Sequence, residues 1–159
     1  MRLEDICTVF TDGDWIESKD QSESGIRLVQ TGNIGEGTYL EKEARAKYIS
    51  EGTFDKLKCT EIFSGDILVS RLPEPVGRAC IVPEKAERMI TAVDCTICRP
   101  NESLINKEYL CYFIVRKPII HACLVMLRAL QEKEFPERIL EMLNCKFLLK
   151  KNRRLWWNY

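Results

Sequence analysis

Short runs of β-branched and aliphatic residues, each ended by a glycine, a proline or a polar turn, recur along the first 120 residues. The runs occupy residues 26–30, 67–71, 79–82 and 90–99. Their length and composition are typical of strands. Within these 120 residues, only 53–58, which follows Ser50, and 106–115 have the pattern of helices. The sequence therefore predicts an α+β domain, with a small mixed sheet of short strands, long loops and few helices.

The composition fits one ordinary globular domain. The chain has 159 residues, of which 45% are hydrophobic and 30% charged, so it can bury a core. No apolar run approaches the ~18 residues of a membrane-spanning helix, and the N-terminus lacks the layout of an export signal. We expect a cytoplasmic protein without a membrane segment. The 24 basic and 24 acidic side chains cancel, which at first argues against a nucleic-acid binder.

Eight cysteines are read as buried free thiols, because most of them sit in apolar runs. Cys95 and Cys98 form the only C-x-x-C. They fall within a predicted strand, where residues three apart face opposite sides, so they are not expected to bind one metal ion.

The residues of an active site are largely missing. His121 is the only histidine, no phosphate-binding P-loop occurs, and the glycine-rich segment 31–37 lacks the dinucleotide fingerprint. Asp12, Asp14, Glu17 and Lys19 match a metal-dependent nuclease in residue type. They lie in one short stretch, however, and a solvated acidic loop is the favoured interpretation. We expect no cofactor and no metal.

Two loops, 30–34 and 70–78, carry groups suited to reading base edges. Arginine pairs with guanine through two hydrogen bonds, and glutamine and asparagine pair with adenine. Prolines stiffen the second loop, which lowers the entropy lost on binding. Ordinary turn chemistry produces the same residues, so on these grounds DNA reading is one of two open interpretations.

The same loops carry a family resemblance. The segments concerned are 26–35 (IRLVQTGNIG), 46–50 (AKYIS), 63–71 (FSGDILVSR) and 77–82 (GRACIV). Their order and spacing, over roughly residues 3 to 118, resemble the target recognition domain of the specificity subunit of type I restriction-modification enzymes. In that family the subunit carries two such domains separated by long helices. It reads a split site in double-stranded DNA and docks methylation and motor-nuclease subunits that perform the chemistry.

The resemblance implies a non-catalytic DNA-recognition component. Matching loop positions make Gln30, Thr31, Asn33, Arg71 and Arg78 the candidate DNA contacts. The open alternative is a truncated regulatory or defective interaction protein, which competes for partner subunits without binding DNA specifically.

Residues 1–120 are assigned to this domain, incomplete at its N-terminus, and residues 121–159 do not resemble the family. Read in the neighbouring frame, 128–136 permits the family's Gly-Thr-Thr run and 146–153 its Pro-Pro and Glu-Gln element. The hypothesis is a frameshift before about His121, which leaves an out-of-frame tail, disordered or helical, and makes partner docking doubtful. Sequencing the gene tests it: a single-base change should restore the Pro-Pro and Glu-Gln element.

The zero net charge is then a cancellation. Residues 1–120 carry 16 basic and 20 acidic side chains, and residues 121–159 carry 8 and 4. An acidic reader is expected to bind DNA weakly by itself and to rely on local arginine and lysine placement and on partner subunits.

Overall fold

Eight short strands and two helices form the part of the chain that the computed structural model describes, residues 2–72 and 77–116. The strands are β1 Cys7–Asp12, β2 Ile26–Val29, β3 Tyr48–Ile49, β4 Glu61–Ile62, β5 Ile67–Ser70, β6 Ala79–Ile81, β7 Met89–Thr91 and β8 Cys95–Pro100. The helices are α1 Glu51–Leu57 and α2 Lys107–Val115. The predicted α+β class is confirmed.

The strands divide between two four-stranded sheets, where one small mixed sheet was expected. The first sheet has the order β1-β8-β5-β6 and the second the order β3-β2-β7-β4. All pairs of the first sheet are antiparallel. The second sheet is mixed, because β2 pairs in parallel with β7 and antiparallel with β3.

Residues 90–99 were predicted to form a single strand, and this prediction is wrong. β7 ends at Thr91 in the second sheet, and β8 begins at Cys95 in the first. The break is a turn closed by a 2.9 Å bond from the Cys95 N–H to the Ala92 carbonyl oxygen. Both strands are buried and rich in β-branched residues. Because the same composition continues through the turn between them, the sequence pattern does not show the break. This turn carries the chain from one sheet to the other.

Three buried clusters fill the spaces between layers. α2 packs on the first sheet through Leu110, Cys111 and Ile114. The second cluster takes its residues from both sheets, including Val29 and Ile97. The third lies on the other face of the second sheet, against Phe54 and Leu57 of α1. The order of layers is therefore α2, first sheet, second sheet and α1.

The described cysteines are free thiols, as predicted: Cys7, Cys59, Cys80, Cys95, Cys98 and Cys111. Cys95 belongs to the cluster between the sheets and Cys98 to the cluster under α2, so the two face opposite sides of β8. Burial raises the pKa of Cys95 to about 12, which keeps this thiol protonated and unreactive at neutral pH.

Side-chain caps begin both helices. The Ser50 Oγ accepts from the Thr53 N–H at 3.1 Å, and the Asn106 Oδ1 accepts from the Tyr109 N–H at 2.8 Å. The predicted helix 53–58 thus begins earlier, at Glu51, directly after its cap. α1 and α2 have 7 and 9 residues, and no helix of the described part is long and apolar enough to cross a membrane.

Most of the proline loop, residues 73–76, and the whole predicted tail, 121–159, lie outside the described residues. The tail's assignment as out-of-frame sequence stays a prediction.

The two sheets meet where the chain leaves β1, a region that we call the sheet junction (residues 12–14 and 91–95). The Gly13 N–H donates to the Cys95 carbonyl oxygen and the Asp14 N–H to the Thr91 carbonyl oxygen, both at 2.9 Å. A Cβ on Gly13 would lie 2.4 Å from the carbonyl oxygens of both Thr91 and Ala92. The junction therefore has no room for any side chain at this position.

We expect Gly13→Ala to lower the free energy of unfolding by about 1–3 kcal/mol or more, because backbone must move to admit the methyl group. Gly52→Ala is the matched control. Gly52 is an exposed position of α1 whose added Cβ would meet only the Ser50 Oγ, at 3.9 Å. This control should gain about 0.5–1 kcal/mol from helix propensity. Urea unfolding of the two variants measures both, and equal stability would contradict this description of the junction.

Candidate functional site

The two loops singled out from the sequence leave the same edge of the molecule. β2 ends beside β7, where the Ala92 N–H donates to the Val29 carbonyl oxygen at 3.0 Å. β5 ends beside the same turn, since the Arg71 N–H donates to the Asp94 carbonyl oxygen at 2.9 Å. We call the sheet junction, segment 30–47 and the described residues of 71–78 together the loop edge.

Asn33 holds the first loop in shape. Its side chain is buried, its Oδ1 accepts from the Gln30 N–H at 3.0 Å, and its Nδ2 donates to the Leu40 carbonyl oxygen at 3.0 Å. Both ends of the amide are thus used inside the protein. Its role as a DNA contact stays a prediction, and the geometry gives it a supporting role in the loop.

Gln30 and Thr31 are half-buried at the start of a short 3-10 turn, Thr31–Asn33. A Cβ on Gly32 would lie 3.3 Å from the Lys42 Nζ, so the ammonium group lies close over this turn. The turn therefore combines polar side chains with a positive charge that comes from a later part of the chain.

Arg78 connects the two loops. Its Nη1 donates to the Ile34 carbonyl oxygen at 2.9 Å, and next to it the Gly37 N–H donates to the Ala79 carbonyl oxygen at 2.8 Å. The first loop is thereby fastened along the start of β6. Arg78 thus lies beside the loop that carries Gln30, Thr31 and Asn33, and the role of these residues as DNA contacts stays a prediction.

Arg71 lies on the other side of the second loop, at the sheet junction. Its Nη1 donates to the Asp12 Oδ2 at 2.8 Å, and the Asp12 Oδ1 accepts from the Thr96 hydroxyl at 2.9 Å. The Arg71 side chain is 14% exposed. Its Nε is buried and has no hydrogen-bond partner in the described part of the chain.

The acidic residues of the opening segment act separately. Asp12 binds Arg71, Asp14 accepts the Thr60 N–H at 2.8 Å, and Glu17 pairs with Lys19 at 2.6 Å. Burial raises the pKa of the Asp14 carboxyl, and the Thr60 N–H partly opposes this shift. Within residues 2–72 and 77–116, no three potential metal ligands come together. The four side chains are thus tied to structural partners and do not converge as a metal site would require.

Three cations were missed by the sequence reasoning. Lys42, Arg45 and Lys47 follow the first loop, and none has an acidic partner among the described residues. Lys42 and Arg45 are exposed, and Lys47 is half-buried. In the sequence they are marked only by their close spacing, Lys-Glu-Ala-Arg-Ala-Lys. The glutamate between the first two offsets part of the positive charge. Segment 42–47, with three basic residues and one acidic residue, is therefore locally positive, although the domain is acidic.

Comparison with known proteins identifies the fold. No family model matches the sequence, and no curated protein matches it either. Among solved structures, a chain from a study of complex assembly and conformational transition of the type I R-M system matches with a TM-score of 0.58 and 18% identity, over 89% of this chain. The HsdS subunit from Thermoanaerobacter tengcongensis matches with a TM-score of 0.57 and 17% identity, also over 89%.

The chain spans only 31% and 30% of these two proteins. At this level of identity the similarity establishes the fold. The protein has the fold of part of a type I specificity subunit, and the resemblance inferred from the loop motifs is confirmed at that level.

Replacing Asn33 tests whether its side chain stabilises the first loop. We expect Asn33→Ala to cost about 1–3 kcal/mol of stability, because the Gln30 N–H and the Leu40 carbonyl lose a buried partner. Thr31→Ala is the control, since the Thr31 side chain makes no hydrogen bond within the described residues, and it should change stability by less than about 0.5 kcal/mol. If urea unfolding gives the same midpoint for Asn33→Ala and wild type, Asn33 does not support the loop.

Proposed function

We propose that this protein is a DNA-reading module of a type I restriction-modification system. It would bind double-stranded DNA sequence-specifically through the loop edge, as a non-catalytic recognition component. Methylation and cleavage would be performed by partner methylation and motor-nuclease subunits, in the cytoplasm where the DNA is.

The observation that carries the proposal is the convergence of two hydrogen-bonding loops on one edge. The Arg78 bond to the Ile34 carbonyl oxygen joins them, and Gln30, Thr31 and Arg71 offer the donors and acceptors that the major groove distinguishes. Loops mounted on a rigid scaffold are the usual carriers of such recognition. The fold shared with type I specificity subunits supports the same assignment.

The cations of 42–47 supply the second element of a DNA-binding surface. Phosphate contacts set register and orientation, while base contacts discriminate sequence. Lys42 lies over the Gly32 turn, so a phosphate bound there would lie next to the residues proposed to read bases. In an acidic domain such a local patch would be the main attraction for the DNA backbone.

The proposal assigns no cofactor and no catalytic residue to this chain. Among the acidic residues of the opening segment, Asp12 pairs with Arg71 and Glu17 pairs with Lys19. The chain spans about a third of the protein that it resembles, so the contribution of partner subunits belongs to the proposal. We infer that stable DNA binding depends on such partners.

Selection from a randomised duplex pool tests the proposal. The full chain should enrich a short sequence motif at low salt, because base-edge hydrogen bonds discriminate by about 1–3 kcal/mol per good pair. Salt-sensitive binding without a motif would contradict specific reading. No DNA binding, together with displacement of a specificity subunit from its methylation partner, would support the competing interaction protein instead.

The role of the 42–47 cations gives a second prediction. The pair Lys42→Ala and Arg45→Ala should weaken binding to all sequences and reduce the slope of log affinity against log salt by about 0.9 for each phosphate that is no longer neutralised. The selected motif should stay the same. Lys56→Ala, an exposed lysine of α1, is the matched control and should leave the slope unchanged. A changed motif with an unchanged slope would assign these cations to base reading.

A further inference from the structure

Arg71 is held at the sheet junction through its backbone as well as through its side chain. Its backbone N–H donates to the Asp94 carbonyl oxygen at 2.9 Å, and the preceding Ser70 pairs with Arg78 across the hairpin at 2.8 Å. These bonds fix where the Arg71 side chain starts, at the base of the second loop.

Asp12 holds the guanidinium end of the Arg71 side chain. Its Oδ2 accepts from the Arg71 Nη1 at 2.8 Å, and its Oδ1 accepts from the hydroxyl of Thr96 at 2.9 Å. Thr96 is fully buried and stands directly opposite Asp12 in the β1–β8 pairing. Both carboxylate oxygens are thus engaged, one by an immobile hydroxyl and one by the guanidinium, so the carboxylate cannot rotate without breaking a bond.

The guanidinium remains incompletely satisfied. Arginine has five N–H donors, and in the described part of the chain Asp12 is the partner of the Arg71 side chain through Nη1 alone. The Nε is buried without a partner there, and the side chain keeps 14% of its surface exposed at the loop edge. Arg99 differs, because its Nε and Nη2 bind both oxygens of Asp66 at 2.8 Å, as expected for an arginine with a purely structural role.

We infer that Asp12 is a positioning residue for base reading by Arg71, an inference that rests on the proposed function. The carboxylate holds one terminal nitrogen, which restrains the guanidinium before DNA arrives and leaves the Nη2 donors to face the paired acceptors of a guanine edge. An arginine held in this way loses less side-chain entropy on binding, and its fixed plane discriminates more strongly between bases. Thr96 acts one step further back, by orienting Asp12.

The first test needs no DNA. In wild-type protein labelled with 15N-arginine, the Arg71 Nε–H should exchange slowly with water, because it is buried beside a fixed carboxylate. Asp12→Asn should speed that exchange markedly, and Glu17→Gln, which changes an exposed carboxylate of the same opening segment, should not. Equal exchange rates in the three proteins would overturn the positioning role whatever the protein binds.

The second test uses selection from the randomised pool. Asp12→Asn should lose base preference at one position of the motif, by about 5- to 150-fold, the range that an arginine–guanine pair contributes. Arg71→Lys should lose preference at the same position, and the double variant should lose no more than either single one. Glu17→Gln should keep the full motif.

Three results would overturn the inference. In the first, Asp12→Asn weakens binding to all sequences equally, which would place Arg71 on a phosphate. In the second, Asp12→Asn keeps the full motif while Arg71→Lys relaxes it. In the third, the wild-type chain enriches no motif, which would remove the proposed function itself, while the exchange measurement would still report whether Asp12 holds Arg71. Urea unfolding of Asp12→Asn shows whether the variant is folded under the conditions of the selection.

Discussion

The absence of a side chain at Gly13 is the constraint on which the rest of the structure depends. The backbone of residues 12–14 passes so close to the end of β7 that a Cβ would lie 2.4 Å from two carbonyl oxygens. This close approach allows the two residues after β1, Gly13 and Asp14, to donate to the Cys95 carbonyl oxygen of β8 and the Thr91 carbonyl oxygen of β7. The backbone at Gly13 and Asp14 thus connects the two sheets.

The loop edge follows from that junction. Asp12 ends β1 immediately before Gly13 and reaches Arg71 at the end of β5, while Asp14 immediately after it accepts the Thr60 N–H. The first loop is then attached to β6 through Arg78 and internally braced by Asn33. These bonds hold the described parts of both loops in place, which suits the recognition of a fixed pattern of donors and acceptors.

Local features of the fold were predictable from the sequence because local physics determines them. The strands at 26–29, 67–70 and 79–81 follow from β-branched runs bounded by turns, and the start of α1 after Ser50 follows from a side chain that accepts a hydrogen bond from a helix N–H group. The division of 90–99 into two strands was not predictable, because both halves are buried and share one composition. Periodicity reports burial and does not report which sheet a strand joins.

The candidate site was predictable in part for a related reason. Motif spacing located the two loops, but the pair of Arg71 with Asp12 joins residues 59 positions apart and leaves no mark on local pattern. The same holds for Lys42 over Gly32 and for the internal bonds that occupy Asn33. The polar loop residues chosen by motif therefore include Asn33, whose side-chain amide is already hydrogen-bonded within the loop.

The most direct test of the central claim is hydrogen–deuterium exchange of the full chain with and without a duplex that it selects. We expect DNA to protect segments 30–47 and 71–78 together with the sheet junction, while α1 and α2 exchange as in the free protein. Protection confined to either helix, with the loop edge unchanged, would contradict the assignment of this edge as the DNA-reading surface.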